Sequence, residues 1–63
     1  MDMEKLKSLR LESGLSQMTL AAKVGVSLET IRRWEYGLND PKPDNKEKLK
    51  EVLENELNRS ISA

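Results

Sequence analysis

The sequence predicts an all-α domain, a compact bundle of four to five helices around a central helix-turn-helix. Three observations predict it. Apolar residues recur at helical spacing in four separate segments. Turn-forming glycine and proline fall at the joints between those segments. Between Gln17 and Gly37, small and apolar residues stand only where two crossed helices must touch.

The elements follow in chain order. Met3, Leu6 and Leu9 predict a first helix over residues 2–13, ended by Gly14. Leu15 begins a short link, and Ser16 is placed to cap a second helix over 17–24. Ala21 is small where that helix meets the next one. Gly25 tolerates the positive φ that ends a helix in a tight turn. Ser27 can cap a third helix over 28–36, and Gly37 stops it. Leu20, Val24, Val26, Ile31 and Trp34 fall on the inner faces of this pair. Leu38 to Pro43 holds two prolines, an asparagine and an aspartate, and reads as a loop. Asp44 or a neighbour starts a fourth helix, with Glu47 placed for a capping box. Leu49, Val52, Leu53 and Leu57 mark its inner face. Residues 58–63 are polar apart from Ile61, so a frayed tail is expected there, behind a domain over 1–57. Trp34 is expected to be buried against Leu6, Leu20, Ile31 and Leu53.

Composition narrows the chemistry. The chain has 63 residues, enough for one domain with a modest core. It lacks cysteine and histidine, which removes disulfides, thiol nucleophiles and the usual zinc ligands. There is no phosphate-cradling glycine loop and no base to complete a catalytic triad, so an enzyme is not expected. No metal site, cofactor or small-molecule substrate is expected either. No apolar run approaches the ~18 residues of a membrane span. The N-terminus is amphipathic and charged, so no secretory leader is expected. The net charge of +0 argues against nucleic acid when taken alone, because such domains more often have a pI above about 9. The charge is unevenly spread, however. Residues 1–33 carry six basic and four acidic side chains, and residues 34–63 carry five basic and seven acidic. Attraction to phosphate is local, screened over about 8 Å at physiological salt. A neutral total is therefore compatible with a basic edge built from Lys23, Arg32, Arg33, Lys42 and Lys46.

The segment LRLESGLSQMTLAAKVGVSLETIRRWEYG resembles the DNA-binding domain of phage repressors and Cro proteins, the XRE-like group of transcriptional regulators. Matching residues include Leu6, Arg10, Gly14, Gln17, Ala21, Gly25, Ile31, Trp34, Glu35 and Gly37, and the resemblance covers roughly residues 4–54. It implies five helices, sequence-specific binding of double-stranded DNA, and homodimers on paired half-sites. It also implies a cytoplasmic, nucleoid-associated setting in a bacterium or phage. Two features depart from the group: Pro43 stands where a core leucine is common, and no fifth helix is visible. The alternative from another class is a protein-interaction module on the same fold, antitoxin-like or coregulator-like. Glu29 and the neutral charge favour that alternative.

The site residues are read from the third helix outward. With Ile31, Trp34 and Glu35 inward, Leu28, Glu29, Arg32, Arg33 and Tyr36 face solvent. The N-terminal part of a recognition helix contacts base edges, so Leu28, Glu29, Arg32 and Arg33 are the candidate base readers. Arg33 suits guanine O6 and N7, and Leu28 can lie on a thymine methyl; Glu29 can accept from cytosine N4 but repels phosphate, so its expected part is to exclude wrong sequences. Gln17, Ser27, Thr30, Tyr36 and Lys42 are the candidate backbone contacts, Gln17 on the strength of the resemblance. Arg10 and Glu35 each interrupt an apolar face, where a lone charge is costly to bury. The resemblance implies that they form an ion pair between the first helix and the end of the third.

Overall fold

The computed structural model describes residues 5–62. Its described elements are four helices: α1 (Leu6–Glu12), α2 (Gln17–Val24), α3 (Leu28–Glu35) and α4 (Pro43–Ser62). No strand occurs among the described residues. The fold is all-α with a central helix-turn-helix.

Local chemistry explains each boundary. Ser16 and Ser27 cap α2 and α3, each side chain accepting a backbone N–H three residues on. Gly25 ends α2 at φ +89°, a left-handed conformation that a Cβ would penalise. Its N–H and that of Val26 both donate to the Ala21 carbonyl, at 2.8 and 3.0 Å. Those two bonds consume a carbonyl the helix end would otherwise leave unpaired. The chain then turns at once into α3.

The core gathers Leu6, Leu20, Ala21, Val24, Ile31, Trp34, Leu49 and Leu53, with Leu9, Val26 and Val52 packed against its rim. Trp34 is 4% exposed and shares this cluster with Leu6, Leu20, Ile31 and Leu53. Leu15 also belongs to the core, although the sequence pattern placed it in a link. It follows Gly14, and the residue after a left-handed helix-ending glycine is commonly apolar and folded back on the helix. α1 and α2 each pack against both α3 and α4.

The structure departs from the sequence expectations at three points. α1 begins at Leu6, and Met3 lies outside the described residues. α4 begins at Pro43, whose fixed φ and missing N–H suit the first helical position. Asp44 therefore sits inside the first turn, where its charge complements the helix dipole, and is not the capping residue. No fifth helix occurs among the described residues, in line with the sequence, in which none is visible. α4 instead runs 20 residues, about 30 Å, and its backbone stays helical through Ser62 where a frayed tail was expected from residue 58. No glycine or proline interrupts 44–62, and Glu56 ties the far half of α4 to α2 through Lys23, at 3.3 Å.

Candidate nucleic-acid interface

α3 is locked at both ends. Ser27 Oγ accepts from the Thr30 N–H at 3.1 Å and shares a 2.8 Å hydrogen bond with Thr30 Oγ1. Two hydroxyls joined in this way use one proton between them, so one O–H stays free to donate outward. At the other end, the Gly37 N–H donates to Trp34 O and the Leu38 N–H to Arg33 O, at 3.1 and 3.0 Å. This pair of bonds closes the helix on its own last carbonyls.

Between those locks the helix has two unlike sides. Ile31 and Trp34 are buried. Glu29, Arg32 and Arg33 are exposed, Leu28 and Thr30 are half-buried at the flanks, and Tyr36 is 78% exposed just beyond the end. Arg33 Nε donates to Glu29 Oε1 at 3.4 Å, one helical turn away. Exposed pairs at this spacing are worth only about 0.3–0.5 kcal/mol, so a ligand can displace the contact. Beside this face lies an open groove of about 340 Å³, lined by Thr30 and Arg33 of α3, Asn39 to Lys42 of the loop, and Asn45 of α4. It brings the Arg33 and Lys42 cations, the Thr30 hydroxyl and two amides to one place, with Asp40 as the carboxylate among them.

Under the N-terminal end of α2 sits a buried polar network. Arg10, 7% exposed, donates from Nε to Glu35 Oε2 at 2.7 Å and from Nη2 to Oε1 at 3.3 Å. Its Nη1 donates to the Leu15 carbonyl at 3.0 Å. Gln17 Nε2 donates to the same Glu35 Oε1 at 3.1 Å. One carboxylate thus joins α1, the first residue of α2 and the last of α3. Among the described residues, no buried side-chain polar atom lacks a partner. Gln17 is half-buried and spends one amide N–H inward. Its other amide N–H and the free backbone N–H groups of the first turn of α2 are what remain for an anion.

Lys23 does not join the basic edge assigned to it from sequence. It lies in the last turn of α2, which packs on α4, and its Nζ is 3.3 Å from Glu56 Oε1. Arg32, Lys42 and Lys46 are exposed and take part in no ion pair among the described residues. Sequence reasoning missed the Gln17–Glu35 and Arg10–Leu15 hydrogen bonds. The first depends on how α3 meets the start of α2 and the second on how the chain folds back after α1, and no spacing within one helix signals either. Among the described residues, no cluster of acidic, histidine or cysteine side chains could hold a metal ion. No described helix is long and apolar enough to cross a membrane.

A short helix with one buried and one charged side, locked by a glycine turn to the helix before it, defines a helix-turn-helix protein. Comparison with protein families gives the same answer, since the family model described as Helix-turn-helix matches residues 6–61. The chain belongs to this family as an XRE-like helix-turn-helix DNA-binding domain, a family of DNA-binding regulators. No curated protein and no solved structure matches it.

Proposed function

We propose that this chain is a sequence-specific regulator of phage repressor or Cro type, which lays α3 in the major groove of double-stranded DNA. The observation that carries this reading is the division of α3 into a buried side and an exposed side bearing Glu29, Arg32 and Arg33, on a helix locked at both ends. A rigid helix keeps hydrogen-bonding side chains in register with base edges without an ordering cost at binding. Arg33 reads guanine through O6 and N7, Glu29 accepts from cytosine N4, Leu28 meets a thymine methyl and Arg32 reaches the next base edge. Gln17, Ser27, Thr30, Tyr36 and Lys42 hold the two backbones, and these contacts position the domain without reading sequence. One chain covers one half-site, so a homodimer on half-sites about 34–36 Å apart is the working form. No catalysis and no small-molecule ligand is part of this reading.

The test is a selection of bound duplexes from random DNA, followed by titration of Arg33→Ala on the preferred site. Loss of about 1–3 kcal/mol with relaxed preference at one base pair is expected. Unchanged affinity and unchanged preference would overturn the reading. Tyr36 and Leu38, 78% and 71% exposed, both follow the end of α3, two positions apart in sequence. With Glu29, they favour a second reading as a protein-interaction module. That reading takes over if no duplex is bound at low salt.

A further inference from the structure

α4 carries a feature that the groove-binding helix does not use. Lys42, Lys46 and Lys50 follow one another at four-residue intervals, and all three are exposed. Lys42 immediately precedes α4, and its carbonyl accepts the Lys46 N–H at 2.9 Å, so the two residues stand one turn apart. Lys50 is the next turn on. At 1.5 Å rise per residue the row spans about 12 Å, and neighbouring members differ by only about 40° around the helix axis. Lys48 lies about 200° from Lys46, away from the row. None of the three lysines takes part in an ion pair among the described residues. Glu47 and Glu54 border the row without pairing with it. Like charges at this spacing repel and weaken a helix, so the row brings α4 no structural return.

Its position supplies one. Lys42 lines the groove that also contains Arg33 and Thr30 of α3. Lys46 and Lys50 line a second shallow groove further along α4. The row therefore starts at the exposed side of α3 and leads away from it.

We propose that Lys42, Lys46 and Lys50 form a phosphate-tracking row, which follows the DNA backbone outward from the groove occupied by α3. This inference rests on the placement of α3 in the major groove. It extends the contact surface from Lys42 along two turns of α4, and it reconciles a net charge of zero with DNA binding, because three unpaired cations are concentrated on one edge. Each lysine that meets a phosphate releases counterions, so each contributes about 0.9 to the slope of log K against log salt.

The experiment titrates the full chain with its selected duplex between about 50 and 200 mM salt, the range over which counterion release is read. Lys46→Gln and Lys50→Gln are compared with Lys48→Gln, and Arg33→Ala is measured in parallel. Lys46, Lys48 and Lys50 are exposed, so melting curves unchanged or slightly raised by relief of repulsion within the row are expected and serve as the folding control. The expected result is a slope shallower by about 0.9 for Lys46→Gln and for Lys50→Gln, about twice that for the double variant, and no change for Lys48→Gln. Base preference stays constant across the lysine variants, because phosphate contacts carry no sequence information. Wild-type slopes for Lys46→Gln and Lys50→Gln, or an equal drop for Lys48→Gln, overturn the row while the altered preference of Arg33→Ala leaves the placement of α3 standing. An unaltered preference in Arg33→Ala overturns the placement of α3 instead. If the wild-type chain binds no duplex at the low-salt end, both fall.

Discussion

Glu35 is the residue on which most of the polar interior depends. Its side chain is 4% exposed and takes three hydrogen bonds, two from Arg10 and one from Gln17. A carboxylate withdrawn from water this far is tolerable only with such partners. Removing it leaves the Arg10 guanidinium buried with one carbonyl for company. Glu35→Ala is therefore expected to cost about 3–5 kcal/mol. A 63-residue domain has only about 3–9 kcal/mol to lose at typical stability per residue. Urea unfolding followed by Trp34 fluorescence is the measurement, and a loss under about 1 kcal/mol would show the pair to be energetically idle. Arg10→Met combined with Glu35→Leu removes both charges and keeps volume. The double variant is expected to be more stable than the sum of the two single losses allows. Strict additivity would show that the two side chains do not interact.

At the scale of elements, the turn between α2 and α3 decides the angle at which α3 is presented. Gly25 sits at φ +89°, and a Cβ built there meets nothing within 4 Å. The penalty for Gly25→Ala is therefore backbone conformation alone, about 1–2 kcal/mol, with no clash to add. Thermal unfolding measures it. A neutral result would mean that the turn relaxes to a negative φ, and DNA affinity would then fall because α3 is re-aimed. Ser27→Ala removes the cap of α3 and the hydroxyl pair with Thr30 at once. About 1 kcal/mol of stability is expected to go. At α4 the sign is the same but the source is the unfolded chain. Pro43 already occupies the first helical position, where its missing N–H costs nothing, so Pro43→Ala should destabilise slightly, by under about 1 kcal/mol, through greater freedom of the unfolded chain.

For the whole molecule, the question is how much of the chain the fold requires. Among the described residues the buried cluster ends at Leu53, with Leu57 half-buried beyond it, and the last ion pair joining α4 to another helix is Lys23–Glu56. We propose that residues 1–57 suffice as the domain. A chain ending at Leu57 is expected to keep its α-helical circular dichroism and lose no more than about 1 kcal/mol, since among the described residues beyond Leu57 the one ion pair is that of the largely exposed Arg59 with Glu56. Loss of cooperative unfolding in that shortened chain would show that the final turn of α4 is part of the fold.

The sequence by itself determined the helices, because each is written in local chemistry. Ser-x-x-Thr stands before α2 and α3, glycine stands after α1, α2 and α3, and apolar residues recur every three or four positions. These signals act within a few residues and need no knowledge of what lies across the core. The burial of Trp34 follows from the same periodicity, since its register with Ile31 leaves it no outward direction. The resemblance implied the Arg10–Glu35 pair, but the tertiary structure alone decided two other polar contacts between helices. Gln17 and Glu35 are eighteen residues apart and Lys23 and Glu56 thirty-three, and nothing in either neighbourhood marks the partner. It also decided that Leu15 is core and that α4 stays helical through Ser62 where a frayed tail was expected. The physical reason is one of range. Caps, turns and helical periodicity are energies of neighbours in sequence, whereas hydrogen bonds between helices depend on crossing angles that only the packed core sets.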